Sequence, residues 1–342
     1  MYPVIDLHCD LLSYLAEVEG STVNDTEAIG CALPHLQAGG VKIQVCALYA
    51  PTTPGSSEMG MRQAERFEEL IESGVFKPWQ MRSTTWEKVL ADDEIYIIPA
   101  IESASVFAEE DERPERSLYR MEMLMGKIGK PLYISLTHNH LNRFGGGDMT
   151  KEGLQPDGAL LLEYLDKRDI AVDLSHTSAK LAHEIFKYIA AQDLEIPLIA
   201  SHSNFQAITA HPRNLPDPYV EYLIKKGGIQ GINFIRPFVD ENEEEKLFDH
   251  FRHGQEKGAQ MALAGDFFAP ITVPGRDPDV NLYFHPNYQD ASVYPRLLKR
   301  LSEFMTEEEL QALSHGNALA FMKQLRFFDD KWAKQQSLPS GA

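Results

Sequence analysis

Eight short apolar runs, most of them separated by segments with helical periodicity, constrain the fold of this chain more than any other feature. The intervening segments carry apolar residues three or four positions apart and charged residues on the opposite face, as amphipathic helices do. Nearly continuous apolar strands that alternate with helices indicate a parallel sheet covered on both faces. The runs comprise residues 4–7, 43–48, 95–101, 132–136, 170–174, 197–200, 229–234 and 261–264. The predicted helices comprise residues 59–71, 117–125, 158–165, 178–191, 219–225 and 246–258.

Eight such strand-and-helix units closed into a ring predict an α/β fold of the TIM-type (β/α)8 barrel class, and an open doubly wound sheet is the alternative. Near the C-terminal end, Thr306 and Glu309 match a capping box, which predicts a last helix over residues 310–325. The sequence shows no internal repeat and no linker. We therefore expect a single domain over residues 1–342.

Composition narrows the classes of partner. A chain of 342 residues with 43% hydrophobic content can bury a sizeable core. Its net charge of -19 opposes binding to nucleic acid and to anionic membrane surfaces, so a small-molecule partner is predicted. The sequence has neither a membrane-spanning apolar stretch nor a basic and apolar leader, so we expect a cytoplasmic location. Cys9, Cys31 and Cys46 lack zinc-finger spacing and are predicted to be reduced, mostly buried thiols.

Ionisable residues follow five of the eight apolar runs at their C-terminal ends. In a TIM barrel these ends meet at the face where active sites form, so residues far apart in sequence would share one pocket. Taken singly, His176 has an ordinary explanation as a hydrogen-bonded histidine, and Glu102 as a solvated loop carboxylate. The joint pattern favours a common site. The residues are His8 with Asp10, Glu102, His176, His202 and Asp266.

The residue types in this set suit a binuclear metal site. The set offers nitrogen and oxygen ligands and no thiolate. Its ligands outnumber those that one tetrahedral zinc ion requires, whereas two ions that share a carboxylate would use them all. Such a pair can hold a bridging hydroxide near neutral pH. Glu102 is the natural bridge, and Asp266 is either a further ligand or a general acid and base. Two divalent ions are predicted, and these ligands accept zinc, manganese, iron or cobalt.

Five motifs lie at the ends of these runs. They are Asp6-Leu7-His8-Cys9-Asp10, Ala100-Ile101-Glu102, Leu136-Thr137-His138-Asn139 with Asn142, Asp173-Leu174-Ser175-His176-Thr177-Ser178, and Ser201-His202-Ser203-Asn204 followed by His211-Pro212-Arg213-Asn214-Leu215-Pro216-Asp217. Together they resemble the renal (membrane) dipeptidase family, dizinc metallopeptidases with a TIM-barrel fold. The resemblance spans most of the chain, and the last two motifs are the most specific.

The resemblance implies a role for each site residue. It also suggests a homodimer, and the chain resembles the intracellular bacterial branch of the family. One implied zinc site comprises His8, Asp10 and Glu102, and the other comprises Glu102, His176 and His202. His138 would polarise the scissile carbonyl group, Arg213 would bind the substrate's terminal carboxylate, and Asp266 would transfer the proton.

The residue chemistry supports these assignments but leaves alternatives open. A guanidinium group matches a carboxylate in two-pronged geometry, which suits Arg213, although a surface pair between Arg213 and Asp217 is the plainer explanation. A hydrogen-bond donor such as His138 would stabilise the oxyanion that forms on the carbonyl oxygen as the amide carbon is attacked. His140 lies two positions away and competes for this role, but the motif favours His138.

One motif departs from the family pattern. The family commonly has Ser-Asp-Phe-Asp-Gly after the last strand, and this chain has Gly265-Asp266-Phe267-Phe268-Ala269. We therefore expect another loop shape and a more apolar lining beside Asp266. The long stretch over residues 267–295 predicts an ordered loop over the barrel mouth, either a substrate lid or a structural cap.

The leading functional hypothesis is a zinc-dependent dipeptidase that hydrolyses unblocked dipeptides, including L,D-dipeptides, through a metal-bridging hydroxide. One alternative is another binuclear amidohydrolase that acts on a cyclic amide, a lactone or a phosphoester. His8 and Asp10 in place of two histidines, together with Glu102 and Arg213, argue against it. The other alternative is a non-catalytic protein that binds metal or peptide, and the altered loop beside Asp266 is its only support.

Overall fold

Eight parallel strands close into a ring in the computed structural model, which describes residues 2–79, 85–273 and 283–325. Their order runs β2-β1-β9-β8-β7-β6-β5-β4, and a further pairing of β2 with β4 closes the ring. The predicted TIM-type barrel is therefore confirmed, and the open sheet is wrong. The strands are β1 Val4–Cys9, β2 Val41–Tyr49, β3 Lys77–Pro78, β4 Tyr96–Glu102, β5 Tyr133–Ser135, β6 Ala171–Asp173, β7 Leu198–Ala200, β8 Ile229–Ile232 and β9 Met261–Leu263.

All eight predicted strands are found within a few residues of their predicted bounds. The two-residue strand β3 was not predicted, and it pairs only with β4, outside the ring. Alternate side chains along the strands of the ring belong to two different apolar clusters. One cluster contains Ile5, Val45 and Ile98, and the other contains Cys46 and Val172. This division is the one expected for the interior and the helix-facing side of a barrel.

The six predicted helices are present, and most begin two or three residues earlier than predicted. Thr306 and Glu309 form the predicted capping box, but a π-helical segment, Ala312–Gly316, interrupts the helix that follows. The helices are α1 Leu11–Glu17, α2 Leu33–Ala38, α3 Ser56–Glu72, α4 Trp86–Ala91, α5 Pro114–Ile128, α6 Pro156–Leu165, α7 Ala179–Ala191, α8 Asp217–Lys225, α9 Arg236–Val239, α10 Lys246–Lys257, α11 Tyr294–Leu301, α12 Glu307–Gln311 and α13 Asn317–Gln324. Among the described helices, none combines the length and the apolar character needed to cross a membrane.

The loop after β9 is anchored by aromatic packing. Phe267 is fully buried, and its ring lies 5.6 Å from that of Phe284 and 6.0 Å from that of Phe234. Phe268 packs against Phe284 and Tyr283. The apolar surroundings expected for this loop are thus present. Residues 274–282 of the predicted mouth loop lie outside the described residues, and a lid function for the loop stays a prediction.

The three cysteines lie in the helix-facing cluster. All three are free and buried, as the sequence predicts. Cys9 marks an irregular end of β1, because the register with β2 shifts between Asp6 and Cys9. Leu7 belongs to the interior cluster and Cys9 to the helix-facing one, so the simple alternation of side chains is broken between them. This irregularity includes His8, at the end of β1 that lies at the barrel mouth.

Candidate metal centre and active site

The predicted ligands all converge at the C-terminal mouth of the barrel. Glu102 is the last residue of β4, and the other residues lie at or just after the ends of β1, β6, β7 and β9. Three groups have potential ligand atoms within 4.8 Å of one another: His8 with Glu102 and His202, Glu102 with His138 and His176, and His8 with Asp10 and Asp266. These groups contain every predicted ligand, although they divide the ligands differently from the two zinc sites that the family resemblance implies.

Glu102 lies at the centre of the cluster. Its Oε1 atom is 2.9 Å from His176 Nε2 and 3.4 Å from His202 Nε2, and its Oε2 atom is 3.6 Å from His8 Nε2. The side chain is almost fully buried. Both carboxylate oxygens therefore face imidazole nitrogens, as the predicted bridging role requires.

The tautomer of His8 follows from its hydrogen bonds. The Tyr133 hydroxyl donates to the backbone carbonyl of Leu7 at 3.2 Å. The tyrosine oxygen is then free to accept a hydrogen bond from His8 Nδ1 at 2.7 Å. A proton on Nδ1 leaves the lone pair of a neutral imidazole on Nε2, which faces Glu102.

His202 and His176 are oriented by the same principle. The Ser201 hydroxyl donates to Asp173 Oδ2 at 2.7 Å, so its oxygen accepts from His202 Nδ1 at 2.6 Å. His176 Nδ1 donates to Asn139 Oδ1 at 2.9 Å. The two Nε2 atoms lie 3.1 Å apart, and both face Glu102 Oε1. Lone pairs this close repel one another unless a proton or a metal cation lies among them.

The carboxylates of the cluster need nearby positive charge to be stable as anions. Burial, with the nearby charge of Glu102, raises the pKa of Asp10 well above its usual value, and burial also raises the pKa of Asp266 to about 6. Burial lowers the pKa of His8, but the charges of Glu102, Asp266 and Asp10 outweigh it and raise that pKa to about 10. His8 Nε2 and Asp10 Oδ1 are buried without a hydrogen-bond partner among the described residues. A site with this charge and these open atoms fits divalent cations.

His138 lies at the edge of the cluster. Its Nε2 atom is 3.8 Å from Glu102 Oε1, and its ring lies 4.1 Å from that of His176. Burial, reinforced by the positive charge of His176, lowers the pKa of His138 to about 3, so its imidazole is neutral near pH 7. The competing residue His140 is exposed. The structure thus places His138, and not His140, beside the cluster.

Arg213 is bound to the backbone of His202. It is only 3% exposed, and its Nη1 and Nη2 atoms donate to Ser203 Oγ at 2.6 Å and to the His202 carbonyl at 2.9 Å. Its Nε atom is buried without a partner among the described residues. The alternative pairing with Asp217 is wrong, because Asp217 contacts His253 at 2.9 Å and Lys257 at 2.7 Å. Arg213 therefore carries an uncompensated donor next to the cluster.

Backbone strain coincides with two of these residues. His176 and Asp266 have φ values of 62° and 58°, in the left-handed region that L-residues rarely adopt. Strain of this kind persists only where the surroundings impose it, and it is concentrated at functional sites. The side chains of His176 and Asp266 are consequently directed by the loops after β6 and β9.

Sequence reasoning assigned no role to the residues that orient the histidines. Tyr133 lies inside a strand and has no signal that distinguishes it from a core residue. Asp173 and Ser201 stand in the quoted motifs, yet their hydrogen bonds to one another depend on two neighbouring strands. Asp148 follows three glycines, Gly145 to Gly147, and such a run could have indicated a close backbone approach.

The family comparison assigns the chain to a protein family. The model of the membrane dipeptidase family, peptidase family M19, matches residues 1–336. The chain belongs to the membrane dipeptidase family. The family match agrees with the ligand cluster at the barrel mouth.

Two curated proteins are similar to about half of the chain. Dipeptidase verJ of Clonostachys rogersoniana is 30% identical over 193 residues, which cover 54% of this chain and 44% of that protein. An uncharacterized dipeptidase of Schizosaccharomyces pombe is 27% identical over 203 residues, which cover 56% of this chain and 46% of that protein. The chain thus spans less than half the length of these curated relatives.

One solved structure shares the fold over nearly the whole length. A metallo peptidase from Rhodobacter sphaeroides, liganded with a phosphinate mimic of the dipeptide L-Ala-D-Ala, superposes with a TM-score of 0.75 at 19% identity. The superposition covers 95% of this chain and 99% of that protein. The barrel architecture is therefore common to this chain and that metallo peptidase.

Proposed function

We propose that this protein is a zinc-dependent dipeptidase that hydrolyses unblocked dipeptides. The observation that carries the proposal is the convergence of three imidazole Nε2 atoms on Glu102, with two further carboxylates, Asp10 and Asp266, beside His8. The buried Arg213 next to His202 adds a site for the free carboxylate that defines a dipeptide.

Two zinc ions would be held at the barrel mouth. His8, Asp10 and Glu102 would hold one, and Glu102, His176 and His202 would hold the other. When bound, the ions would lower the pKa of a water molecule enough for it to act as a nucleophile near neutral pH. The Nδ1 hydrogen bonds of the three histidines keep their Nε2 lone pairs available for this purpose.

Asp266 would move the proton during the reaction. Its Oδ1 atom lies 3.6 Å from His8 Nε2, inside the cluster, and its carboxylate is almost fully buried. A carboxylate here can take a proton from the attacking water and return it to the leaving amine. His138 is neutral near pH 7 and can donate a hydrogen bond to the oxyanion that develops on the carbonyl oxygen when the amide carbon is attacked.

Arg213 would recognise the substrate's terminal carboxylate. Its bonds to Ser203 and to the His202 carbonyl hold the guanidinium group in place, and its Nε–H group has no partner among the described residues. Because the group is buried, a hydrogen bond to a carboxylate there is stronger than one in water. We extend the proposal to L,D-dipeptides because the similar Rhodobacter sphaeroides peptidase binds a mimic of L-Ala-D-Ala.

The test is metal content together with turnover of a matched dipeptide panel. The panel contains L-Ala-L-Ala and L-Ala-D-Ala, each free, N-acetylated and C-amidated, assayed before and after chelation and after zinc is restored. We expect two zinc ions per chain, cleavage of the free dipeptides, loss of cleavage on chelation and recovery with zinc.

Three results would contradict parts of the proposal. Equal cleavage of free and blocked dipeptides would exclude recognition of the termini and with it the role of Arg213. Two bound zinc ions without cleavage of any dipeptide would point to another amidohydrolase substrate or to a binding protein. Full hydrolysis by a variant that combines His176→Ala and His202→Ala would exclude the second metal site.

A further inference from the structure

Asp148 is a buried carboxylate with no role in the proposed reaction. It lies in the loop after β5, and its side chain is only 4% exposed. Its Oδ1 atom has no hydrogen-bond partner among the described residues, and it lies 3.5 Å from His176 Nδ1. A buried carboxylate oxygen without a hydrogen bond is costly, so its position beside a ligand histidine calls for an explanation.

The same residue also holds the backbone of His176. The Asp148 amide donates to the His176 carbonyl at 3.0 Å, and the Thr137 hydroxyl donates to the same carbonyl at 3.1 Å. This carbonyl belongs to the residue with a φ of 62°. Two donors on one carbonyl oppose relaxation of the strained backbone, so the ring of His176 stays directed at Glu102.

The glycines before Asp148 allow this contact. A Cβ atom on Gly147 would lie 1.9 Å from the His138 carbonyl oxygen, and one on Gly146 would lie 2.2 Å from the Glu152 carbonyl oxygen. Neither distance is possible for a real side chain. The Ser178 amide donates to the Gly146 carbonyl at 2.9 Å, which ties the loop to the segment after His176. The loop is thus built to approach His176 closely.

We infer that Asp148 is a positioning residue for His176. Together with Asn139, it holds the proton on Nδ1 and so presents the Nε2 lone pair to a metal ion, while its backbone amide fixes the ring's direction. When Nε2 binds a cation, the Nδ1–H group becomes a stronger donor, and a negative carboxylate stabilises it more than the neutral amide of Asn139 does. This inference rests on the proposed metal centre.

The test is the zinc affinity of the full chain with Asp148→Asn, which keeps the size of the side chain and removes its charge. Competition with a chromophoric chelator gives the Kd without any turnover. We expect at least one zinc ion to bind roughly 10–100-fold more weakly. Asp148→Ser, a smaller polar variant, should weaken binding in the same direction.

The matched control is Asp217→Asn. Asp217 forms another aspartate–histidine pair, with Oδ1 at 2.9 Å from His253 Nε2, at the start of α8. This variant should leave the zinc affinity unchanged. If Asp148→Asn and Asp217→Asn changed the affinity by the same factor, or if neither changed it, Asp148 would not position His176.

A second readout separates orientation from general stability. In the chelated protein, long-range 1H–15N spectra report which nitrogen of His176 carries the proton, with the signals assigned by their loss in His176→Gln. We expect the Nδ1–H tautomer in the unmodified protein and a larger Nε2–H fraction in Asp148→Asn. Identical tautomers would overturn the inference. Neither readout needs dipeptide cleavage, so absence of cleavage would count against the proposed function alone.

Discussion

His250 should make the stability of the protein depend on pH in a way that one substitution removes. Its imidazole is fully buried, accepts a hydrogen bond from the Phe205 amide at 3.2 Å and lies 3.3 Å from the Val239 carbonyl oxygen. With Nδ1 as acceptor and Nε2–H as donor, the ring fits this place only when it is neutral. Burial lowers its pKa from 6.5 to about 4.

The magnitude follows from the two pKa values. The folded-state pKa lies below the unfolded one, so the stabilising contribution is fully present above pH 6.5 and is lost as the pH falls toward 4. Complete titration corresponds to about 3 kcal/mol, and acidification from pH 7.5 to 4.5 should remove about 2.5 kcal/mol of it.

The assay is urea unfolding of chelated protein between pH 7.5 and 4.5, with His250→Asn beside the unmodified chain. Chelation keeps the release of metal from contributing to the pH dependence. The asparagine does not titrate, so the unfolding free energy of this variant should fall by about 2.5 kcal/mol less over the range. His183→Asn, at an exposed position, is the matched control and should leave the curve parallel to that of the unmodified chain. Parallel curves for His250→Asn as well would refute the reasoning.

Four further substitutions test the site. Arg213→Lys should lower kcat/KM for free dipeptides roughly 10- to 100-fold, because charged hydrogen bonds contribute about 1.5–3 kcal/mol; unchanged steady-state kinetics would exclude carboxylate binding there. Asp266→Asn should lower kcat roughly 100- to 10,000-fold at full zinc occupancy, and a smaller loss would exclude its proton transfer. Tyr133→Phe removes the acceptor for His8 Nδ1 and should weaken zinc binding about 10-fold in chelator competition. Gly147→Ala should lower Tm by several degrees in calorimetry, since its Cβ would meet the His138 carbonyl; an unchanged Tm would contradict the close approach.

The positions of the site residues could be predicted because of a property of parallel barrels. Every strand in the ring runs in the same direction, so residues that follow different strands gather at one mouth. His8, Glu102 and His202 are separated by many residues in the chain, yet each lies within two residues of the end of an apolar run. The candidate ligands could therefore be identified from the ends of the apolar runs, without knowledge of any distance between them.

The surroundings of each ligand could not be predicted in this way. The tautomer of His202 depends on Ser201 and on Asp173 from the neighbouring strand, and the left-handed backbone of His176 depends on a loop that follows β5. The alternation of side chains in β1 also fails between Leu7 and Cys9, because the pairing with β2 is irregular there. Such features arise from contacts between segments that are distant in the chain.

The sequence by itself thus determined the strand-and-helix alternation, the residue types at the strand ends and, through its motifs, the family. The tertiary structure alone decided that β2 pairs with β4 to close the ring, that Arg213 contacts Ser203 and not Asp217, and that Asp148 lies beside His176. The physical reason is the range of the interactions. Periodicity and strand ends are local properties of a chain, whereas ring closure, proton positions and buried partners depend on distances set only when remote segments pack together.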